Sequence, residues 1–273
     1  MIAMALQEKI QGPNPYADRM EKQRQGIHSN LSGIKYRIGI MSGKGGVGKT
    51  TVAVNLAALL AEKNKVGLFD ADIDCPNVTK FLGITERFSV NEKTEGIVPV
   101  EKYGIMVISM GSLQEAEDTA IMWRGPLIAN TLTNFLEKTK WGKMDYLIFD
   151  LPPGTSDAAL SLMQYANFTG IVIVSTPGAA SIADARKAIN MCRKMEVKIL
   201  GIVENMSGEV FGTGNVEELA ELVGESFIGR IRLSPAVRKI TDDGRPAALE
   251  DGNARKEFMQ VLQNLNGEIS ALE

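Results

Sequence analysis

The sequence predicts an α/β fold, in which a doubly wound and mostly parallel β-sheet carries helices on both of its faces. From residue 34 onward, short runs of β-branched and apolar residues alternate with longer segments that have helical periodicity. This alternation is typical of βαβ units, whose crossover helices cover both faces of a parallel sheet. The longest apolar stretches, such as residues 170–174, have the length of a strand and fall far below the roughly 20 residues of a membrane-spanning helix.

The predicted elements follow in order along the chain. Residues 1–33 are polar and are predicted to be an N-terminal extension, with a short helix at 16–25. The remainder, residues 34–273, is predicted to form a single domain. Its strands are predicted at 36–41, 66–69, 105–110, 146–149, 171–174 and 199–203. Its helices are predicted at 51–63, 127–138 and 181–195.

The C-terminal segment 254–272 has the pattern of an amphipathic helix. Apolar side chains recur there every three or four positions, at Phe258, Val261, Leu262, Leu265, Ile269 and Leu272. A helix that binds a membrane surface carries a lysine-rich polar face. Here Arg255 and Lys256 are opposed by Glu257, Glu268 and Glu273. We therefore expect this helix to pack on the sheet, and we expect no membrane partner.

The balance of charge and the scarcity of cysteine exclude several classes of protein. The 273 residues include 33 acidic and 30 basic side chains, a formal net charge of −3, which argues against a nucleic-acid binder with a broad basic surface. Two cysteines and one histidine supply neither a disulfide framework nor a Cys/His zinc site in one subunit. The apolar start of the chain is too short for a signal peptide, so a cytoplasmic location is expected.

A glycine-rich phosphate loop follows the first predicted strand. Residues 43–50 satisfy the pattern G-x-x-x-x-G-K-[ST], and a predicted helix comes directly after them. Backbone N–H groups of such a loop surround the β-phosphate of a nucleotide, and the helix N-terminus adds a partial positive charge. Lys49 would reach the β- and γ-phosphates, and the Thr50 hydroxyl would hold Mg²⁺. The predicted nucleotide-binding residues of this loop are Gly43, Lys44, Gly45, Gly46, Val47, Gly48, Lys49, Thr50 and Thr51.

Lys44 is a second lysine within this loop. A phosphate loop does not ordinarily need it, because its amine is poorly placed for the nucleotide of its own subunit. It is either a solvated loop residue or a catalytic residue that reaches the phosphates across a dimer interface. The loop resembles the deviant Walker A class of dimerising ATPases, which includes septum-positioning and plasmid-partition proteins, and this resemblance favours the second interpretation.

Carboxylates end two of the predicted strands. Asp70 and Asp72 follow the strand at 66–69, and Asp150 follows the strand at 146–149. Ligands of open α/β sheets bind beyond the carboxyl ends of the strands, so these side chains are expected to face the phosphate loop. We predict that Asp150 holds Mg²⁺, that Asp72 orients the attacking water, and that Asp70 supports it. The alternatives are an Asx turn for Asp70 and Asp72, and a helix cap for Asp150.

Further strings of residues resemble the Mrp family of nucleotide-binding iron–sulfur cluster carriers. They occur in family order within residues 34–248, at 70–73, 123–126, 141–142, 145–157, 176–177 and 201–207. The resemblance implies ATP or ADP and Mg²⁺ as ligands, a homodimer, and apo iron–sulfur proteins or assembly factors as partners. It also implies that Asn205, Arg230 and Pro235 lie near the adenine, with Asp72 in switch I and residues 150–157 in switch II. Without the resemblance, Asn205 would equally fit a turn or a helix cap.

The chain departs from this resemblance at the cluster ligands. Family members that carry clusters have a Cys-x-x-Cys pair soon after the Glu-Asn-Met-Ser string, and residues 208–214 lack it. A [4Fe–4S] cluster normally takes four thiolates, so the familiar shared cluster site is not expected to form. Cys75 would lie near the dimer face in the family geometry, where a symmetric pair could ligate a metal, although a small loop residue is the simpler interpretation. Cys192 is predicted to be a buried core thiol.

The leading functional prediction is a slow, Mg²⁺-dependent ATPase that dimerises and acts as an iron–sulfur cluster carrier or assembly factor of the Mrp type. Hydrolysis would convert a tight dimer into a relaxed one, because γ-phosphate contacts hold the switch segments. The alternative is an ATP-dependent dimerisation switch that positions or regulates a partner protein without carrying a cluster. The missing cysteine pair leaves both interpretations open.

Overall fold

An eight-stranded sheet forms the centre of the structure, a computed structural model that describes residues 15–273 except 74, 87, 92–95, 110 and 112–124. The strands are β1 (Ile34–Met41), β2 (Val66–Asp70), β3 (Ser89–Asn91), β4 (Gly96–Val98), β5 (Val100–Lys102), β6 (Ile105–Ser109), β7 (Met144–Asp150), β8 (Gly170–Ser175), β9 (Ile199–Ser207) and β10 (Phe227–Arg232). The order in the sheet is β10-β9-β8-β1-β7-β2-β6-β5, and β3 pairs with β4 separately. The sheet is parallel apart from the edge strand β5, which runs antiparallel to β6.

Helices cover both faces of this sheet. They are α1 (Pro15–Leu31), α2 (Lys49–Ala61), α3 (Val78–Phe81), α4 (Gly125–Lys138), α5 (Asp157–Tyr165), α6 (Ala179–Lys194), α7 (Asn215–Val223), α8 (Pro235–Asp242), α9 (Ala247–Glu250) and α10 (Gly252–Ser270). Helices α2, α3, α8, α9 and α10 supply one hydrophobic core, and α1, α4, α5, α6 and α7 supply the other. The predicted doubly wound α/β fold is therefore confirmed.

The sheet has a hydrophobic core on each face because successive side chains of a strand point to opposite faces. In β7, Leu147 and Phe149 face one core while Ile148 faces the other. In β8, Ile173 and Val172 divide in the same way. Because both faces are covered, these strands are apolar at nearly every position, which explains why they were the clearest strand signals in the sequence.

The six predicted strands are all present, with shifted ends. Strand β9 runs four residues further than predicted, to Ser207, and Met110 at the end of another predicted strand lies outside the described residues. Strands β5 and β10 and the β3–β4 pair were not predicted. The sequence of β10 gives a weak signal because Gly229 and two arginines interrupt its apolar residues.

The first helix is longer than predicted, since α1 spans Pro15–Leu31 whereas residues 16–25 were expected. Its second half packs against α4, where Ile27 and Leu31 are buried. The Asn30 amide fixes this contact by donating to the carbonyl oxygens of Leu136 and Thr139, at 2.7 and 2.8 Å. The second half of α1 is therefore packed on the body of the protein, while the division of the chain at residue 33 stays a prediction.

Helix α10 confirms the predicted C-terminal amphipathic helix. Its apolar face is buried on the sheet, mainly against β10 and β9, through Phe258, Val261, Leu262, Leu265 and Ile269. Leu272 is an exception, because it lies beyond the end of the helix and is exposed. Within the described part of the chain, no helix combines the length and apolar character needed to cross a membrane.

We predict that Phe258→Ala lowers the free energy of unfolding by about 3–5 kcal/mol, because it removes a fully buried aromatic ring and leaves a cavity against the sheet. Urea unfolding followed by circular dichroism measures the change. Leu272→Ala is the matched control, since an exposed substitution is expected to stay within about 0.5 kcal/mol. Equal effects of the two changes would contradict the packing of α10 described above.

Candidate nucleotide-binding site

The register of the sheet brings the predicted site residues together at one edge. Strand β1 ends in the phosphate loop and lies between β7 and β8. Ile40, near the end of β1, is opposite Asp150 of β7, and Asp70 of β2 is opposite the same residue. The phosphate loop and both carboxylates therefore meet beyond the carboxyl ends of three adjacent parallel strands, which is where ligands of open α/β sheets bind.

Two glycines of the phosphate loop are required by close approaches of other segments. A Cβ on Gly43 would lie 2.1 Å from the backbone carbonyl of Asp184 in α6. A Cβ on Gly48 would lie 2.1 Å from Nδ2 of Asn205, and Gly48 also has a left-handed φ of 80° at the cap of α2. These contacts hold the loop between α6 and the end of β9, so its backbone N–H groups are fixed at the N-terminus of α2.

A compact cluster of Lys49, Thr50 and Asp150 lies under this loop. The Lys49 Nζ atom donates to Oδ1 of Asp150 at 2.6 Å, and both side chains are buried, 6% and 1% exposed. The Thr50 hydroxyl donates to the other oxygen, Oδ2, also at 2.6 Å. Both carboxylate oxygens are thus engaged by the first two residues of α2. The alternative role of Asp150 was to cap the next helix, α5. Its carboxylate instead accepts from Lys49 and Thr50, and Ser156 caps α5.

Asp70 lies beneath the site and outside its lining. Its Oδ2 accepts hydrogen bonds from the Ser109 hydroxyl at 2.8 Å and from Val78 N–H at 3.2 Å, and its Oδ1 accepts from Asp72 N–H at 3.2 Å. Burial, together with the charge of nearby Asp150, raises the pKa of Asp70 to about 7 despite the hydrogen bond from Ser109. These bonds fix the turn that carries Asp72, and the predicted supporting role of Asp70 in catalysis stays a prediction.

A cavity of about 560 Å³ opens above the cluster. The predicted site residues that line it are Lys44, Gly45, Gly46, Gly48, Lys49, Thr50, Thr51, Asp72 and Cys75. Asp72 is half-buried and its Oδ1 accepts from Cys75 N–H at 3.2 Å, in the Asx-type turn that was the alternative for this residue. The turn and the site are compatible, because the same carboxylate is presented to the cavity.

A second cavity of about 230 Å³ adjoins the first, and Thr51 and Phe81 line both of them. Its walls come from the ends of β9 and β10 and from α8. They include the apolar side chains of Met206, Ile231 and Val237. The two cavities form a continuous surface from the phosphate loop to a largely apolar recess, a shape that suits a nucleotide with its base in the smaller cavity.

The family resemblance put three residues near the adenine, and one of them lines the smaller cavity. Asn205 lines the smaller cavity, and its Nδ2 donates to the Val47 carbonyl at 2.8 Å. Pro235 begins α8 and is exposed next to this cavity without lining it. Arg230 lines neither cavity.

Arg230 instead belongs to an ion-pair network on the side of β10. Its Nε donates to Glu204 Oε1 at 2.6 Å, and its second donor reaches Glu217 of α7 at 2.9 Å. Although burial opposes the change, the N–H of Gly214 and the Arg230 guanidinium lower the pKa of Glu204. In this structure the side chain of Arg230 neutralises a buried carboxylate and has no contact with either cavity, so its assignment to the adenine stays a prediction.

Sequence analysis missed several residues of the smaller cavity, notably Phe81, Met206 and Thr241. Met206 could have been found, since it follows Asn205 in the quoted family string. Phe81 and Thr241 lie in short segments without a motif, and only the packing of α3 and α8 brings them to the site.

The oxygen donors of the cluster fit a magnesium ion. Mg²⁺ prefers hard oxygen ligands, and the Thr50 hydroxyl and the Asp150 carboxylate meet beside the larger cavity. The two cysteines are less suited to a cluster. Cys75 is exposed at the rim of this cavity, whereas Cys192 is buried, and burial raises the pKa of its thiol to about 12. Among the described residues, no group of three or more His, Cys, Asp or Glu side chains could hold a metal ion.

Comparisons with known proteins agree with this geometry. A family profile described as the NUBPL iron-transfer P-loop NTPase, of the ParA group, matches residues 33–266. The chain is 41% identical over 250 residues to the iron-sulfur cluster carrier protein of Aquifex aeolicus, covering 86% of this chain and 68% of that protein. It is also 41% identical over 259 residues to the iron-sulfur cluster carrier protein of Methanocaldococcus jannaschii, covering 90% and 89%.

A solved structure with similar architecture contains a nucleotide. The nucleotide-binding protein of Archaeoglobus fulgidus, in complex with ADP, is similar to this chain with a TM-score of 0.73 and 36% sequence identity, covering 86% of this chain and 95% of that one. The family profile extends from just before β1 into α10 and thus includes every element that builds the site. This chain belongs to the family of NUBPL iron-transfer P-loop NTPases.

Proposed function

We propose that this protein hydrolyses ATP as a homodimer and, through that cycle, carries or helps to assemble iron–sulfur clusters for other proteins. The observation that carries the ATPase is the cluster of Lys49, Thr50 and Asp150 under the phosphate loop. A buried lysine and a carboxylate at the N-terminus of a helix form the charge pattern that phosphoryl transfer needs, because its catalysis is mostly positioning and charge neutralisation.

Nucleotide binding would rearrange this cluster. Lys49 is held by Asp150 at 2.6 Å, and the phosphates of a bound nucleotide would compete for its amine. Asp150 would then be released to hold Mg²⁺ together with the Thr50 hydroxyl. The ion would supply neutralisation of phosphate charge when bound. The protein thus keeps its buried lysine paired until phosphate oxygens replace the carboxylate, which avoids an uncompensated buried charge.

Hydrolysis would use two residues that line the larger cavity, Asp72 and Lys44. The carboxylate of Asp72 would orient a water molecule whose oxygen attacks the γ-phosphorus. The bond to the ADP oxygen breaks, and ADP, inorganic phosphate and a proton are released. Lys44 would reach the phosphates of the partner subunit's nucleotide, which makes turnover depend on the homodimer.

The iron–sulfur role is supported by the relatives, two of which are named iron-sulfur cluster carrier proteins. The chain itself has only two cysteines, and Cys192 is buried in the core beside Met41. A symmetric dimer would therefore present two thiolates, one Cys75 from each subunit. A [4Fe–4S] cluster normally takes four thiolate ligands, so a cluster held here would be labile and passed on quickly to an apo iron–sulfur protein.

The second candidate function is an ATP-dependent dimerisation switch that acts on a partner protein without carrying a cluster. The missing Cys-x-x-Cys pair in the sequence favours it. Both functions share the ATPase cycle and a cytoplasmic location, and neither requires nucleic acid or a membrane. They differ only in whether iron binds to Cys75.

We predict that Lys49→Ala abolishes tight ATP and ADP binding, because each charge-assisted hydrogen bond to phosphate contributes about 1.5–3 kcal/mol. Lys44→Ala, in the same loop, should retain ADP affinity but lose hydrolysis and ATP-dependent dimerisation. Isothermal titration calorimetry and phosphate release compare the two variants, with thermal melting to confirm that both are folded. Equal loss of ADP binding in both variants would exclude a cross-subunit role for Lys44.

We predict that Asp72→Ala binds ATP but hydrolyses it at least about tenfold more slowly, a change of about 1.4 kcal/mol in the activation barrier, because the water is no longer oriented while the phosphate loop is intact. The ATP-bound dimer should persist in size-exclusion chromatography. Asp243→Ala, which removes an exposed carboxylate that lines neither cavity, is the control and should turn over normally. Full activity of the Asp72 variant would reassign the water-orienting role.

We predict that anaerobic reconstitution with iron and sulfide yields a labile cluster, seen as a broad visible absorption band that decays on gel filtration. Cys75→Ser should remove the band, because it removes the exposed thiolates of the dimer. Cys192→Ala is the matched control and should leave the band unchanged.

The two candidate functions separate in this experiment. A band that depends on Cys75 supports the carrier, whereas no band in the unaltered protein, with ATP-dependent dimerisation intact, supports the switch. A stable cluster that survives Cys75→Ser would contradict the ligand assignment.

A further inference from the structure

The buried carboxylate of Asp70 fixes both ends of the segment that carries Asp72. Its Oδ1 accepts from Asp72 N–H, and its Oδ2 accepts from Val78 N–H, each at 3.2 Å. Val78 is the first residue of α3, where N–H groups have no partner within the helix. The position of this segment therefore depends on how the Asp70 carboxylate is turned. The residues of the segment that line the larger cavity are Asp72, Ile73, Cys75 and Asn77.

Ser109, at the end of β6, holds this carboxylate from the neighbouring strand. It lies opposite Asp70 in the sheet and is 1% exposed. Its hydroxyl donates to Asp70 Oδ2 at 2.8 Å, which is shorter than either backbone bond to that carboxylate. The N–H of Gly111 donates to the same hydroxyl oxygen at 3.1 Å. A hydroxyl has one proton to donate, so Gly111 occupies a lone pair while the proton points at Asp70.

This bond decides the orientation of Asp70, because the terminal torsion of a carboxylate is soft and its oxygens are directed by their partners. With Ser109 bonded to Oδ2, Oδ1 faces the N–H of Asp72. Without that donor the carboxylate could rotate, and the turn that presents Asp72 to the cavity would shift with it. A misplacement of about 1 Å can lower the rate of an enzyme by about 100-fold.

We propose that Ser109 is a positioning residue for ATP hydrolysis, which acts through Asp70 to hold Asp72 where it orients the attacking water. Ser109 is not among the described residues that line the two cavities, so we expect it to act without touching the nucleotide. This inference rests on the proposed function, because it requires that Asp72 orients water. Loss of the Ser109 hydroxyl should therefore slow turnover and leave nucleotide affinity unchanged.

The test is Ser109→Ala, with hydrolysis measured by phosphate release and ADP affinity by calorimetry. The loss of one hydrogen bond should lower kcat by about three- to tenfold, while KM and ADP affinity stay unchanged. Ser109→Thr keeps the hydroxyl and should restore most of the turnover. Thermal melting shows whether each variant is folded. Should the alanine variant not fold, Ser109→Cys is nearly the same size with a weaker donor and should show the same decrease.

Ser175→Ala is the matched control. Ser175 ends strand β8 and is also 1% exposed, but its hydroxyl bonds to the Thr176 carbonyl and the Ser181 hydroxyl instead of a carboxylate. The same substitution there removes a buried hydroxyl at the end of a strand, and it should leave kcat unchanged.

A double-mutant cycle separates positioning of Asp72 from an independent effect. In a protein that already carries Asp72→Ala, Ser109→Ala should cause no further loss of turnover, because the two changes remove the same contribution. Additive losses would overturn the inference. So would an unchanged kcat in folded Ser109→Ala, an equal loss in Ser175→Ala, or a folded Ser109→Thr variant as slow as Ser109→Ala. Absence of hydrolysis by the unaltered protein would instead contradict the proposed function itself.

Discussion

The site depends on the buried ion pair between Lys49 and Asp150. Two charges removed from water are tolerated only when they satisfy one another, and here the carboxylate is also bonded to the Thr50 hydroxyl. The pair joins the first turn of α2 to the end of β7, so it connects the helix and the phosphate loop to the central strands of the sheet. The register that sets Ile40 opposite Asp150 is therefore as important for the site as the loop sequence.

The same cluster determines the electrostatics around it. Asp70 of β2 and Asp150 of β7 lie opposite one another in the sheet, so two carboxylates are close together. Lys49 of the phosphate loop donates a hydrogen bond to Asp150. The raised pKa of Asp70 is a consequence of burial first and of the nearby charge of Asp150 second. A cation would relieve the excess negative charge, and Thr50 and Asp150 offer the oxygen ligands for it. These oxygen donors fit the divalent ion that the proposed function requires beside the nucleotide.

The family relationship supports a role in carrying iron–sulfur clusters, whereas the low cysteine content argues against a stable cluster site. The relatives are named as cluster carriers, while this chain has one exposed and one buried cysteine. The buried thiol of Cys192 packs beside Met41 and serves the core. Cys75 is therefore the cysteine that is available to ligate a cluster, and it lies at the rim of the nucleotide cavity. Under the proposed function, a cluster held by Cys75 would therefore lie beside the nucleotide cavity.

The sequence by itself determined the fold class, the phosphate loop and the positions of Asp70, Asp72 and Asp150, because these depend on local periodicity, glycine content and strand ends. It could not determine which side chains meet in the recess for the base. Arg230 matched a family segment but turns to Glu204, whereas Thr241 carries no motif and reaches the cavity only because α8 packs there. The tertiary structure decided the positions of both side chains. Arg230 pairs with a buried carboxylate and Thr241 lies at a cavity wall, and residues distant in sequence form both of these environments.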